Sequence, residues 1–132
     1  MATFKSFEEI EAWQRARLLS QKIFELSNSG MFAKDFALKD QINRAIGSVM
    51  DNVAEGFERG GNREFIQALA IAKGSIGEVR SQLYRALDRK YISAQDFDNL
   101  KIETVEIGKM IGSLMGYLAR SEFKGSKFKH RN

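Results

Sequence analysis

The chain has no cysteine and no proline, and it has a single histidine and a single tryptophan. Without cysteine there is no disulfide framework and no thiolate metal site. That composition fits a reducing compartment, and a cytoplasmic protein is expected. Without proline the commonest helix breaker is missing, and strand-like alternation is missing too. No apolar run approaches a membrane span, and the opening segment MATFKSFEEIEAW lacks the apolar core of a signal peptide. The one histidine, His130, lies two residues from the C-terminus. A histidine-based acid–base pair is therefore not available, nor is a Cys/His zinc cluster. The expectation is a protein that is not an enzyme, with no catalytic residue, cofactor, metal, small-molecule substrate or membrane contact.

What is present is a soluble, globular composition: 132 residues, 43% hydrophobic and 29% charged. One domain of this size buries a real core by itself. The net charge of +4 is local, because Lys124, Lys127, Lys129 and Arg131 follow the last acidic residue, Glu122. Before them stand 17 basic and 17 acidic residues, so the body is balanced and by itself is weak support for a nucleic-acid footprint.

Apolar residues at helical spacing define four segments. The first opens with Ser6 and Glu9, the pattern of a capping box. It buries Ile10, Trp13, Ala16, Leu19, Ile23 and Leu26, and ends at Asn28–Gly30. After a loop at 31–35 the second runs from Phe36 to about Arg59, where Gly60-Gly61 breaks it. Asn62 is the expected N-cap of the third, which carries Phe65, Leu69, Ala72, Ile76, Val79, Leu83 and Leu87. Ser93 and Asp96 open the fourth, with Phe97, Leu100, Thr104, Ile107, Ile111, Leu114 and Leu118 on its seam. Short joints predict an all-α, up-down-up-down antiparallel four-helix bundle over 1–121, followed by a basic, flexible tail over 122–132.

Two features need more than a generic bundle. On the second helix, Gln41, Arg44, Ser48, Asn52, Glu55 and Arg59 recur every three or four residues and share a face. With Ser75 and Glu78 of the third helix, the residues Arg44, Ser48, Asn52 and Glu55 are expected to form a structural polar network. The second feature is glycine inside helices, at about 1 kcal/mol each relative to alanine. A hairpin about Gly60-Gly61 would place Gly47 opposite Gly74 and Arg44 beside Glu78. A tight crossing at Gly47 and an Arg44–Glu78 ion pair are therefore predicted. Gly108, Gly112 and Gly116 make a smooth strip that either receives bulky neighbours such as Trp13 or forms a subunit interface.

The wording of two blocks then becomes specific. Gln41, Arg44, Ala45, Ser48, Val49, Asn52, Val53, Ala54, Glu55 and Gly56 form one. Phe65, Leu69, Ile71, Ala72, Gly74, Ser75 and Glu78 form the other, and Trp13 stands in the first helix. In these residues the sequence resembles the four-helix-bundle proteins encoded within intervening sequences of bacterial 23S ribosomal RNA genes. The resemblance spans roughly residues 7–118 and departs from the family pattern at the 31–37 loop, where a proline is commonly found. It implies a four-helix bundle assembling as a homo-oligomeric ring, a pentamer. It also implies similarity to accessory proteins of diversity-generating retroelements, which act with a reverse transcriptase and RNA. It implies no established activity.

Three function classes can then be compared. For an enzyme, Glu55 and Glu78 would be a carboxylate pair or, with Asp51, a di-metal site, but the Glu-x-x-His signature of carboxylate bundles is absent. Arg59, Arg63 or Arg44 are their expected structural partners. The glycines near Arg59 and Arg63 match neither phosphate-loop pattern. For RNA binding, Lys73, Arg80 and Tyr84 share a face of the third helix, with Arg85 and Arg89 adjacent. Lys124, Lys127, Lys129 and Arg131 alternate with Phe123 and Phe128 in the tail. Basic residues among aromatics suit single-stranded RNA, and a solvated helix face is the plain alternative. For a scaffold, the glycine strip, Phe4 and Phe7 would make subunit or partner contacts. The resulting expectation is a non-enzymatic, homo-oligomeric bundle that associates with RNA. Its alternative is a structural or protein-interaction scaffold that binds no nucleic acid.

Overall fold

The computed structural model describes the backbone of residues 4–131 and the side chains of residues 4–121. Its elements are α1 (Glu11–Ser27), α2 (Phe36–Glu58), α3 (Asn62–Asp88) and α4 (Ala94–Arg131), with short 3-10 turns at Phe7–Glu9 and Phe32–Lys34. Each helix packs on its neighbours in the order α1, α2, α3, α4 and back to α1. All four seams predicted from periodicity face one core. Leu19, Leu38, Ile42, Ile46, Val49, Leu69, Val79, Leu83, Ile107 and Ile111 have lost essentially all exposure. The fold is the expected up-down-up-down four-helix bundle.

Local chemistry accounts for the boundaries. Gly30 (φ +56°) turns the chain out of α1 and Gly60 (φ +84°) turns it between α2 and α3, a backbone region that glycine enters without a Cβ penalty. Asp35 caps α2, its carboxylate accepting the Leu38 N–H at 3.2 Å. The Asp96 N–H donates to Ser93 Oγ at 3.0 Å, the expected cap of α4. Two expected caps differ. Ser6 and Glu9 frame the 3-10 turn rather than α1, and the Glu9 carboxylate reaches the Lys5 N–H at 3.0 Å. Asn62 is the first residue of α3, and Gly61 precedes it as cap. Asn62 instead extends its amide toward the Leu118 carbonyl at 3.5 Å.

The two ends of the bundle confirm its topology. At one end the α1–α2 and α3–α4 joints meet: Asp35 Oδ2 accepts from Arg89 Nη1 at 2.7 Å and from the Tyr91 hydroxyl at 2.8 Å. Buried Phe32 stacks on Tyr91 at 5.4 Å between ring centroids. At the other end the α2–α3 turn lies beside α4 through Asn62. Trp13 packs edge-on against Phe7 at 5.1 Å, and both lean on the core together with Phe4. Phe4 and Phe7 are thus partly buried, not the exposed contact residues expected.

The glycine geometry corrects the predicted crossing. A Cβ built on Gly47 or on Gly74 meets no atom within 4 Å. The register is right, since the neighbouring Ser48 and Ser75 hydroxyls lie 3.0 Å apart. The face is wrong: both glycines are rotated away from the contact their neighbours make. The close approach is at buried Gly56, where a Cβ would stand 2.6 Å from Ala68 Cβ and 3.1 Å from Phe65 Cδ1. Nor does the α4 strip receive Trp13. Gly108 faces Ile76 Cγ2 at 3.7 Å, Gly112 faces Lys73 Nζ at 3.6 Å and Gly116 faces Arg120 Nη1 at 3.3 Å.

Two alanine substitutions should therefore act with opposite sign. Gly47→Ala adds a methyl to open space and raises helix propensity, so stability in chemical denaturation should rise by about 0.5–1 kcal/mol. Gly56→Ala forces a methyl against Ala68 and should lower it by about 1–2 kcal/mol. Equal shifts at the two positions would contradict the placement of the close approach.

Candidate nucleic-acid interface

Rotation of α3 about its own axis decides which of its polar residues meet α2 and which meet α4. On the α2 side the Ser48–Ser75 hydroxyl pair is joined by Asn52, whose amide donates to Ser48 Oγ at 3.0 Å and to the Ser48 carbonyl at 2.9 Å. Three residues of the predicted network therefore meet, and they come from the two sequence blocks that carry the resemblance. Further along the same seam Arg85 Nη1 donates to Gln41 Oε1 at 2.9 Å. Beyond it lies the Asp35–Arg89–Tyr91 cluster.

The other predicted network members stand apart. Arg44 is 80% exposed and pairs with Asp40 of its own helix, Nε to Oδ2 at 3.0 Å, so the expected Arg44–Glu78 ion pair is not formed. Four residues along a helix advance the side chain by about 40° beyond a full turn. Ser48 and Asn52 reach α3, but one step back Arg44 has rotated into solvent. Glu55 is exposed and pairs with Arg59, the C-cap of α2, at 3.6 Å. Glu78 is exposed and makes no ion pair among the described residues.

The candidate RNA contacts divide between two faces. Arg85 and Arg89 lie on the α2 side and are tied down by Gln41 and Asp35. Lys73, Arg80 and Tyr84 share the edge of α3 next to α4. Lys73 lies across Gly112. Tyr84 packs edge-on against Phe97 of α4 at 4.7 Å. Arg80 falls between them at helical spacing and is half-buried, with no carboxylate partner among the described residues. Across the groove, Lys101 of α4 holds its ammonium over the Tyr84 ring, 5.5 Å from the centroid. Lys101 belongs to this cluster although nothing local in the sequence marks it; only packing of α4 on α3 brings it there.

The acids of α4 explain why the groove stays cationic. Glu103 and Glu106 turn to the opposite edge, where Arg15 of α1 binds them at 2.7 Å and 2.6 Å. That double pairing stabilises the charged form of Arg15, raising its pKa through the hydrogen bonds to Glu103 first and Glu106 second. No ion pair links Lys73, Arg80 or Lys101 to a carboxylate among the described residues. The tail residues Lys124, Lys127, Lys129 and Arg131 lie outside the described side chains.

A second surface feature sits between α1 and α2. Phe24, Phe36, Ala37, Lys39, Asp40 and Asn43 line an open cleft of about 610 Å³, and Phe24 and Phe36 are 55% and 75% exposed. Its lining has no serine, threonine, cysteine or histidine, and its one acid already pairs with Arg44. Among the described residues no group of three or more His, Asp or Glu is placed to hold a metal ion. At the N-terminus of α3 the Glu64 carboxylate lies over Gly61, which opposes an anion there.

The chain is similar to known proteins in two comparisons. The profile described as 23S rRNA-intervening sequence protein matches residues 8–113. No curated protein matches. Among solved structures, a crystal structure of a protein with unknown function from the S23 ribosomal protein family of Bacteroides thetaiotaomicron superposes with a TM-score of 0.73 at 20% identity. The match covers 80% of this chain and 96% of that one, and at that identity it shows the fold alone.

The Asp35 cluster generates a pH prediction. The Tyr91 hydroxyl, then the Leu38 N–H, then Arg89 hold the Asp35 carboxyl below its ordinary value. A depressed folded pKa means a contribution present above the unfolded value and lost as pH falls through the folded one. Asparagine caps a helix as well as aspartate, so Asp35→Asn removes the charge while keeping the cap. The variant should melt below the wild type at neutral pH. The gap in Tm should narrow as pH drops below about 4; a gap that widens in acid would contradict the assignment.

Proposed function

The chain belongs to the 23S rRNA-intervening sequence protein family, and from that premise we propose a non-enzymatic, self-associating four-helix bundle that binds RNA. The observation that carries the reading is the α3–α4 groove. Lys73, Arg80 and Lys101 stand in a row without carboxylate partners among the described residues, beside exposed Tyr84. Backbone phosphates are the natural counter-charge for such a row, and they supply most of the affinity in sequence-independent binding. The titratable groups that are held in place, Asp35, Glu103, Glu106 and Arg15, all serve contacts between elements.

Self-association, as the ring that the resemblance implies, is supported by the exposed aromatic cleft between α1 and α2. In a ring each groove is repeated, and modest single-site affinities combine through effective concentration. A cytoplasmic location fits the cysteine-free composition. No helix among the described residues is long and apolar enough to cross a membrane. A pure scaffold is the second reading, favoured by the same exposed aromatics.

Light scattering on the full chain should give a multiple of 15.0 kDa, and the purified particle should shift a labelled RNA in a salt-dependent manner. The double variant Lys73→Glu, Arg80→Glu should weaken binding by about tenfold or more and reduce the log–log salt slope by about one per cation removed. An oligomer of the expected mass that shifts no RNA at low salt would favour the scaffold instead.

A further inference from the structure

Among the described residues Tyr84 is the exposed aromatic ring of the cationic groove, and its surroundings are specific. It is 43% exposed, fixed at one edge by Phe97 at 4.7 Å, and covered on a face by the Lys101 ammonium at 5.5 Å. Phe97 is buried and belongs to the core, so the ring is anchored through that contact while 43% of the residue stays exposed and a flexible lysine lies over it. From Lys73 to Tyr84 the row spans about 16 Å at the helical rise per residue, room for a short run of nucleotides. Between the cations the surface is low. Gly77 has nothing within 4 Å of its Cβ position, and Gly108 and Gly112 touch only Ile76 and Lys73.

Resting on the proposal that this groove binds RNA, we infer that its ligand is single-stranded and that Tyr84 is the platform on which one unpaired base stacks. The base replaces the Lys101 ammonium on the ring, because base–aromatic stacking exceeds an exposed cation–π contact. The displaced ammonium remains within reach of the flanking phosphate, so its charge stays in the complex. Lys73 and Arg80 hold the next phosphates along the row. A duplex keeps its bases stacked inside and cannot use the ring, so the site discriminates by strandedness and not by sequence.

The probe is a fluorescein-labelled oligouridylate compared with a blunt RNA duplex of equal length, titrated against the full chain. The oligouridylate should bind more tightly than the duplex. Tyr84→Leu should lower its affinity about tenfold and leave the duplex affinity unchanged, while Tyr84→Phe should retain wild-type binding. Because Tyr84 also packs on Phe97, a second readout is independent of folding losses. A 4-thiouridine oligonucleotide irradiated on the wild-type protein should crosslink at Tyr84, mapped by mass spectrometry. Equal affinity of the two probes, an unaltered oligouridylate affinity in Tyr84→Leu, or a crosslink elsewhere would overturn the platform. If Lys73→Glu, Arg80→Glu still weakens both probes in that case, the groove reading stands without it. If neither charge reversal nor Tyr84→Leu changes any RNA affinity, the groove reading falls as well.

Discussion

The rotation of α3 against α2 is the constraint on which the rest of this bundle depends. Three contacts set it along the length of the pair. At the turn, buried Gly56 lets α2 approach the backbone of Phe65 and the methyl of Ala68. Midway, the Ser48 and Ser75 hydroxyls bond across the seam with Asn52 as a third partner. At the far end, Asp35 takes hydrogen bonds from Arg89 and Tyr91. A hydrogen bond between side chains so short tolerates little axial rotation. With one edge of α3 committed to α2, its other edge, carrying Lys73, Arg80 and Tyr84, must border α4.

Electrostatics follows from the same geometry. A body with equal numbers of acids and bases is neutral only as an average over its faces. Arg15 draws Glu103 and Glu106 to the α1 edge of α4, and this leaves the α3 edge with Lys101. Along α2 two exposed pairs form, Arg44 with Asp40 and the capping Arg59 with Glu55. Such exposed pairs add little stability, but they remove those cations from any long-range field. The α3–α4 groove keeps Lys73, Arg80 and Lys101 without carboxylate partners among the described residues.

Much of the fold was legible in the chain. The apolar seams, the glycine at the end of α1, the Ser93 cap and the length of each joint are local, and local chemistry decides them. The two sequence blocks meet in space, Ser48, Asn52 and Gly56 from one lying against Ser75 and Phe65 from the other. The face on which each residue lies was less legible. Gly47 and Gly74 are level but turned away, and Arg44 is one helical step out of the seam it was expected to join. A four-residue repeat does not close on a helical turn, so a row that starts at an interface drifts off it within two steps. Arg85 and Arg89 follow Lys73 and Arg80 along α3, yet for the same reason they bond to Gln41 and Asp35 on the other face.

Composition and periodicity by themselves determined that this chain is all helix, that it makes four of them, and which stripe of each is buried. Apolar spacing reports burial because every residue of a helix sees the same core direction. Only the tertiary structure decided which cations are spent on carboxylates and amides and which remain available. It also decided that Lys101 of α4 covers Tyr84 of α3. These are pairings between residues distant in sequence, set by the register and axial rotation of rigid helices, and no local pattern encodes them.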